Sequence, residues 1–201
     1  MTDIWLVRHG EAAAGFAEDV DPGLSHLGHQ QAANAAKHLA PLVPTAATLL
    51  SSPKRRALET GKPFAMQRDQ DLLSDARFIE LPSPGALSER HAWIQKVLKA
   101  CWCDLPGSVA EWRAGLVQAL QECTTPTVIF THFLVINSVE SRISGDDTVL
   151  QCMPGNGSVH HLHIDGDNWR WISRGHMLES CLLYTSQSPR DATLSRMPSS
   201  A

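Results

Sequence analysis

The chain has 201 residues, 43% hydrophobic and 19% charged, enough to close one core and leave a wet surface. Lys plus Arg number 17 against 21 for Asp plus Glu, and the formal charge of -4 argues against a nucleic-acid binder. No apolar stretch approaches the length of a membrane span.

Ile4-Trp5-Leu6-Val7 is a short unbroken apolar run, the pattern of a strand buried on both faces. The residues before it carry no basic region and no small-residue cleavage site, so no export signal is expected. A cytoplasmic protein with reduced thiols is the expectation. Cys101 and Cys103 are spaced C-x-C while Cys123, Cys152 and Cys181 stand alone, and no second pair completes a closed metal site.

Ala32, Ala36, Leu39 and Val43 recur on one helical face, and Pro41 and Pro44 end that helix near residue 40. Thr48-Leu49-Leu50-Ser51 reads as a second strand, followed by Ser52 as N-cap with Pro53 at the first helical position. Glu80, in Arg77-Phe78-Ile79-Glu80-Leu81, follows a third extended stretch, and Pro82, Pro84 and Gly85 mark a loop. Ser88 is expected to cap a helix carrying Trp93, Val97 and Cys101. Ser108 and Glu111 match a capping box for a helix bearing Trp112, Leu116, Ala119 and Cys123. The tryptophans at these spacings are read as packing residues.

Thr127-Val128-Ile129-Phe130-Thr131 is another compact strand. Ser158 to Ile164 and Trp169 to Ser173 read as two strands joined by the turn Asp165 to Asn168. His161 and His163 would share a face of the first, read as a solvent-facing strand edge rather than a metal site. From Thr185 onward the chain is rich in Ser, Thr and Pro, which predicts a domain over residues 1–184 and a mobile tail over 185–201.

Strands alternating with helices predict an α/β domain, a three-layer α/β/α sandwich with a largely parallel central sheet. In such sheets the ligand site lies beyond the carboxyl ends of the strands. Three charged segments fall there: Arg8-His9-Gly10-Glu11, Ser51-Ser52-Pro53-Lys54-Arg55-Arg56 and Thr131-His132. Gly10 would let the backbone turn sharply so that the His9 imidazole points into the cleft. Two histidines and at least two arginines on one edge suit a phosphoryl dianion. Guanidinium forks bind phosphate oxygens bidentately and stay charged. A neutral imidazole can attack phosphorus, and fixed cations stabilise a loose transition state. Glu80 is a candidate general acid for the leaving oxygen, useful at neutral pH if burial or a nearby dianion raises its pKa. Lys54 and Arg55 read as solvated residues that can steer anions.

Leu6-Val7-Arg8-His9-Gly10-Glu11 resembles the signature of the histidine phosphatase superfamily, which includes the phosphoglycerate mutases. Leu24-Ser25-His26-Leu27-Gly28-His29-Gln30-Gln31-Ala32 resembles the segment that opens that family's first helix. Ser51 to Thr60 looks like its S-S-P-x-x-R-A-x-[QE]-T run, and Asn156-Gly157-Ser158-Val159 its late N-x-S-V segment. The resemblance implies a phosphoglycerate mutase-like fold and selects Arg56, which precedes Ala57, over Arg55. It implies that His9 is the phosphorylated nucleophile and that Arg8, Arg56 and His132 form the phosphate pocket. Glu80 falls at the proton-donor position, and neither metal nor organic cofactor is implied.

Ala12 stands where many members carry Thr or Ser, Phe133 stands where Gly is frequent, and the mutase W-N pair is absent. The loop Glu18 to Leu24 resembles that of small phosphatases, including phosphohistidine phosphatases. The expected function is therefore metal-independent hydrolysis of a phosphomonoester or phosphohistidine. The partner would be a small phosphorylated metabolite or a phosphohistidine protein, with no nucleic acid and no membrane. Mutase-type phosphoryl transfer and a non-catalytic phosphate-binding module are the alternatives. Side chains of the Pro82–Arg90 segment and of the helix carrying Trp112 and Arg113 are expected to lie over the pocket.

Overall fold

The computed structural model describes residues 1–14, 19–83 and 85–178. Six strands form one sheet: β1 (Thr2–Arg8), β2 (Thr48–Ser51), β3 (Leu73–Ser74), β4 (Thr127–Thr131), β5 (Val159–Asp165) and β6 (Asn168–Ser173). Their order is β3-β2-β4-β1-β5-β6. β1, β2, β3 and β4 run parallel, and β5 is antiparallel to both of its neighbours. The sheet is largely parallel, as its pattern predicts, and β1, β4 and β2 are adjacent.

The helices are α1 (His26–Leu39), α2 (Arg55–Arg68), α3 (Arg90–Val97), α4 (Gly107–Gln121) and α5 (Phe133–Ser144). The two-residue alternation of β1 sorts them into layers. Ile4 and Leu6 pack with Leu116 and Leu120 of α4 and Val135, Ile136 and Val139 of α5. Trp5 and Val7 point the other way, against Ala35, Ala36 and Leu39 of α1 and Phe64 and Ala65 of α2. A third apolar cluster joins Val97 of α3 to Leu81, Trp102, Val109, Leu134 and Val149 beside the sheet.

Several local expectations are corrected. α2 begins at Arg55 with Lys54 as its cap residue, not at Pro53, and the Ser52 hydroxyl accepts both the Lys54 N–H and the His132 Nε2–H. Ser88 falls inside a short 3-10 turn, Leu87–Glu89, and Cys101 lies past the end of α3. α4 starts one residue before Ser108, with Pro106 at its cap. The extended stretch expected before Glu80 is the short β3, and a 3-10 turn at Ala76–Phe78 stands between it and Glu80. α5 went unread in the sequence. β5 lies between β1 and β6, so His161 and His163 are not on a strand edge. Each donates a ring N–H to Oδ1 of Asp3 at 3.0 Å.

Among the described residues Cys101, Cys103, Cys123 and Cys152 are free thiols, no helix is long and apolar enough to cross a membrane, and no three or more His, Cys, Asp or Glu side chains are placed to hold a metal ion. Cys181 and the tail expected from Thr185 lie outside the described residues.

Candidate active site

The carboxyl ends of β1 and β4 place two imidazoles side by side. His9 follows β1 and His132 follows β4, and their ring centroids are 5.1 Å apart at an interplanar angle of 61°. Arg56, the second residue of α2, reaches both rings. Its Nε donates to Nε2 of His9 at 3.1 Å, and Nη2 lies 3.3 Å from Nδ1 of His132. α2 and α5 both begin at this edge, so two helix N-termini add positive potential to it.

The hydrogen bonds fix the tautomers. A carbonyl only accepts, so the 2.7 Å contact to the Gly10 oxygen puts the proton of a neutral His9 on Nδ1. The Nε2 lone pair then faces the cleft and the Arg56 donor. A guanidinium only donates, so Nδ1 of His132 accepts and its Nε2–H donates to Oγ of Ser52 at 2.7 Å. His9 is 8% exposed and His132 fully buried. Burial, reinforced by the Arg56 and Arg8 charges, drives the His9 pKa down to about 3. Burial also holds His132 well below the ordinary imidazole range, with His9 and Arg56 adding to it.

Arg8 ends β1. Its Nη1 donates to the Pro154 carbonyl at 2.5 Å, and its guanidinium lies over the Phe133 ring at 5.2 Å. The buried Nε of Arg8 finds no partner among the described residues, a donor suited to an anion oxygen. Glu80 stands at the N-terminus of α5, where its carboxyl accepts the Leu134 N–H at 3.1 Å and also that of Leu81. Burial raises its pKa, against those two N–H groups and the charges of Arg56 and Arg8. A carboxyl held toward its neutral form and a neutral imidazole in one cleft can supply a proton and a nucleophile.

Residues 9–11, which follow β1, are held by several hydrogen bonds. Gly10 N–H donates to Oγ1 of Thr60 at 2.9 Å, and Asn156 Nδ2 donates to the His9 carbonyl at 3.2 Å. Glu11 N–H donates to Gln31, while Ser25 caps α1 and donates its hydroxyl to Glu11. Gly10 does not adopt a positive φ. It is needed instead for close approach, since a Cβ there would meet the Gly28 oxygen at 2.5 Å, and one on Gly28 would meet the Glu11 oxygen at 2.1 Å.

Arg8, His9, Arg56 and Glu80 share one cleft of about 320 Å³. Val20, Pro22, Arg90, Ile94, Leu98 and Phe133 also line it, as do Asp19 and Asn156. Arg90 is thus where the Pro82–Arg90 expectation put it, but Trp112 and Arg113 are not part of the lining. Trp112 donates to the Ile79 carbonyl, and Arg113 lies over Trp102. Ser52, Thr60 and Gly28 were legible only as letters of a motif. Nothing in their spacing announces that they hold His132 and the loop after β1.

The model of a family described as the histidine phosphatase superfamily (branch 1) matches residues 4–175. The fold is similar to that of YhfR from Bacillus stearothermophilus, with a TM-score of 0.69 and 21% identity over 89% of this chain and 98% of that one. It is also similar to a mycobacterial glucosyl-3-phosphoglycerate phosphatase solved with VO3 (TM-score 0.65, 20% identity, 86% and 98% covered). A phosphoserine phosphatase from Entamoeba histolytica, solved with 3-phosphoglyceric acid, gives a TM-score of 0.67 at 20% identity, with 88% and 98% covered. No curated protein sequence matches the chain.

Proposed function

Because the chain belongs to the histidine phosphatase superfamily (branch 1), we propose that it hydrolyses a phosphomonoester of a small metabolite through a phosphohistidine on His9. The observation that carries this reading is the state of His9. Its ring is neutral and its Nδ1 proton is tied to Gly10, so Nε2 is aimed at a point flanked by two guanidiniums.

The phosphoryl dianion binds between Arg8 and Arg56, while the buried His132, both of whose ring nitrogens are engaged, holds the Arg56 fork in place. Nε2 of His9 attacks phosphorus while the bond to the ester oxygen breaks, and Glu80 gives its proton to that oxygen. The alcohol leaves, and Glu80 is now a carboxylate. It takes a proton from a water whose oxygen attacks the phosphohistidine. The N–P bond breaks, inorganic phosphate departs, and Glu80 is again protonated. The two guanidiniums and the α2 and α5 N-termini meet the charge on the equatorial oxygens throughout.

The test is His9→Ala with p-nitrophenyl phosphate. Turnover is expected to vanish while the circular dichroism spectrum is retained, and wild-type protein exposed to ³²P-labelled substrate should carry acid-labile, base-stable label. Undiminished turnover in His9→Ala would falsify the proposal.

A further inference from the structure

Beyond the reacting groups the cleft lining is mostly apolar, with Asp19, Arg90 and Asn156 as its polar members, and the reaction above does not use it. Arg90 and Ile94 of α3, with its C-cap residue Leu98, recur four apart on one face and line the cleft. The neighbouring stripe, Trp93 and Val97, packs into the apolar cluster around Trp102 and Val109. Ile94 and Leu98 rest against the edge of that cluster too, and stay half-buried where they line the cleft. Val20 lines the same cleft and is 58% exposed, an aliphatic side chain that core packing does not explain. The ring of Phe133 lines it as well.

We propose that the alcohol released from the ester is an apolar chain or ring, seated against Ile94, Leu98, Val20 and Phe133. This deepens the phosphatase reading and rests on it. A sugar or polyol there would bring its hydroxyls against aliphatic walls and lose water contacts without replacement. Of the polar lining residues, Asn156 gives an Nδ2 hydrogen to the His9 carbonyl and Asp19 Oδ1 accepts the Asp21 N–H. Arg90 adds a third positive charge near Arg56, which strengthens the field drawing in the phosphoryl dianion.

Methyl, propyl and pentyl phosphate release alcohols of similar basicity, so their kcat/KM values compare binding of the apolar part. Each buried methylene contributes up to about fourfold, and a rise of about tenfold or more from methyl to pentyl is expected. Pentyl phosphate should also exceed phosphoserine. Ile94→Asn and Leu98→Asn should lower kcat/KM by a factor that grows with chain length. A flat or falling wild-type series, a preference for phosphoserine, or a loss that is equal for all three alkyl esters overturns the proposal. The wild-type series decides by itself if neither variant folds. p-Nitrophenyl phosphate separates the two levels: its turnover beside a flat alkyl series sinks only the apolar alcohol, and no phosphate release from any ester sinks the phosphatase reading itself.

Discussion

The Nε–H of Arg56 points at Nε2 of His9 across 3.1 Å. A guanidinium thus covers the one lone pair that the ring leaves free. In the proposed reaction an arriving phosphoryl oxygen takes over that N–H before nitrogen meets phosphorus. The same side chain reaches His132, so its fork sets the spacing of both imidazoles.

Lysine carries charge but no fork. Arg56→Lys is expected to lower kcat/KM for p-nitrophenyl phosphate by about 10²–10³-fold, the usual cost of one lost transition-state donor, with little change in melting temperature. Steady-state kinetics would show this, and wild-type rates in the variant would remove Arg56 from the chemistry.

In the proposed first step the protonated form of Glu80 is the competent one. Burial raises its pKa, so kcat/KM should fall as pH rises through that raised value. His9 titrates near about 3 and should add no acid limb above it. Glu80→Gln should abolish the alkaline limb and slow alkyl phosphates more than p-nitrophenyl phosphate. Equal slowing of both esters would show that Glu80 does not deliver the proton.

Acid should weaken the fold through its buried histidines. Burial lowers His160 to about 4, with His176 and Arg174 adding to the effect, and lowers His9 to about 3. An unfolded histidine titrates near about 6.5. As pH falls below that value the unfolded chain takes up protons first. The stability is therefore complete above about 6.5 and lost toward 4 and 3. The His160 gap alone is worth on the order of 3 kcal/mol. Urea midpoints measured between neutral pH and about 4 should decline, and His160→Gln should flatten part of the slope. A midpoint that holds steady on acidification would contradict this.

Gly28 and Gly115 make a matched pair of helical glycines. A Cβ on Gly28 would meet the Glu11 oxygen at 2.1 Å, whereas one on Gly115 would meet nothing within 4 Å. Gly28→Ala should cost about 1–3 kcal/mol and reduce activity, because the carbonyl it strikes belongs to the loop that carries His9. Gly115→Ala should gain about 0.5–1 kcal/mol and leave kinetics alone. Thermal denaturation of both variants checks the contrast.

The strands were legible where burial on both faces writes an unbroken apolar run. Thr48–Ser51 and Thr127–Thr131 carry the bounds read from sequence. Helix starts were less legible, because a serine hydroxyl can serve other partners, as Ser52 serves His132. α5 was missed because Leu134, Val135, Ile136 and Val139 are all buried, which erases the polar face that marks a surface helix. Arg8, His9 and His132 were readable as strand-end residues. The choice of Arg56 over Arg55 needed the family motif, and the geometry gives its reason. Arg55 is solvent-facing and paired with Glu59 one helical turn away, while Arg56 turns inward between the imidazoles. The cleft wall from α3 was hidden because Ile94 and Leu98 look like ordinary core letters.

The carbonyl that holds the Nδ1 proton of His9 has a chemical consequence of its own. It dictates regiochemistry. Any phosphoryl group the ring accepts must sit on the tele nitrogen, and the pros isomer is closed off by a single backbone oxygen. An isomer-selective antibody or a phosphorus NMR shift would therefore report one species, set by the peptide unit after the histidine rather than by the histidine itself.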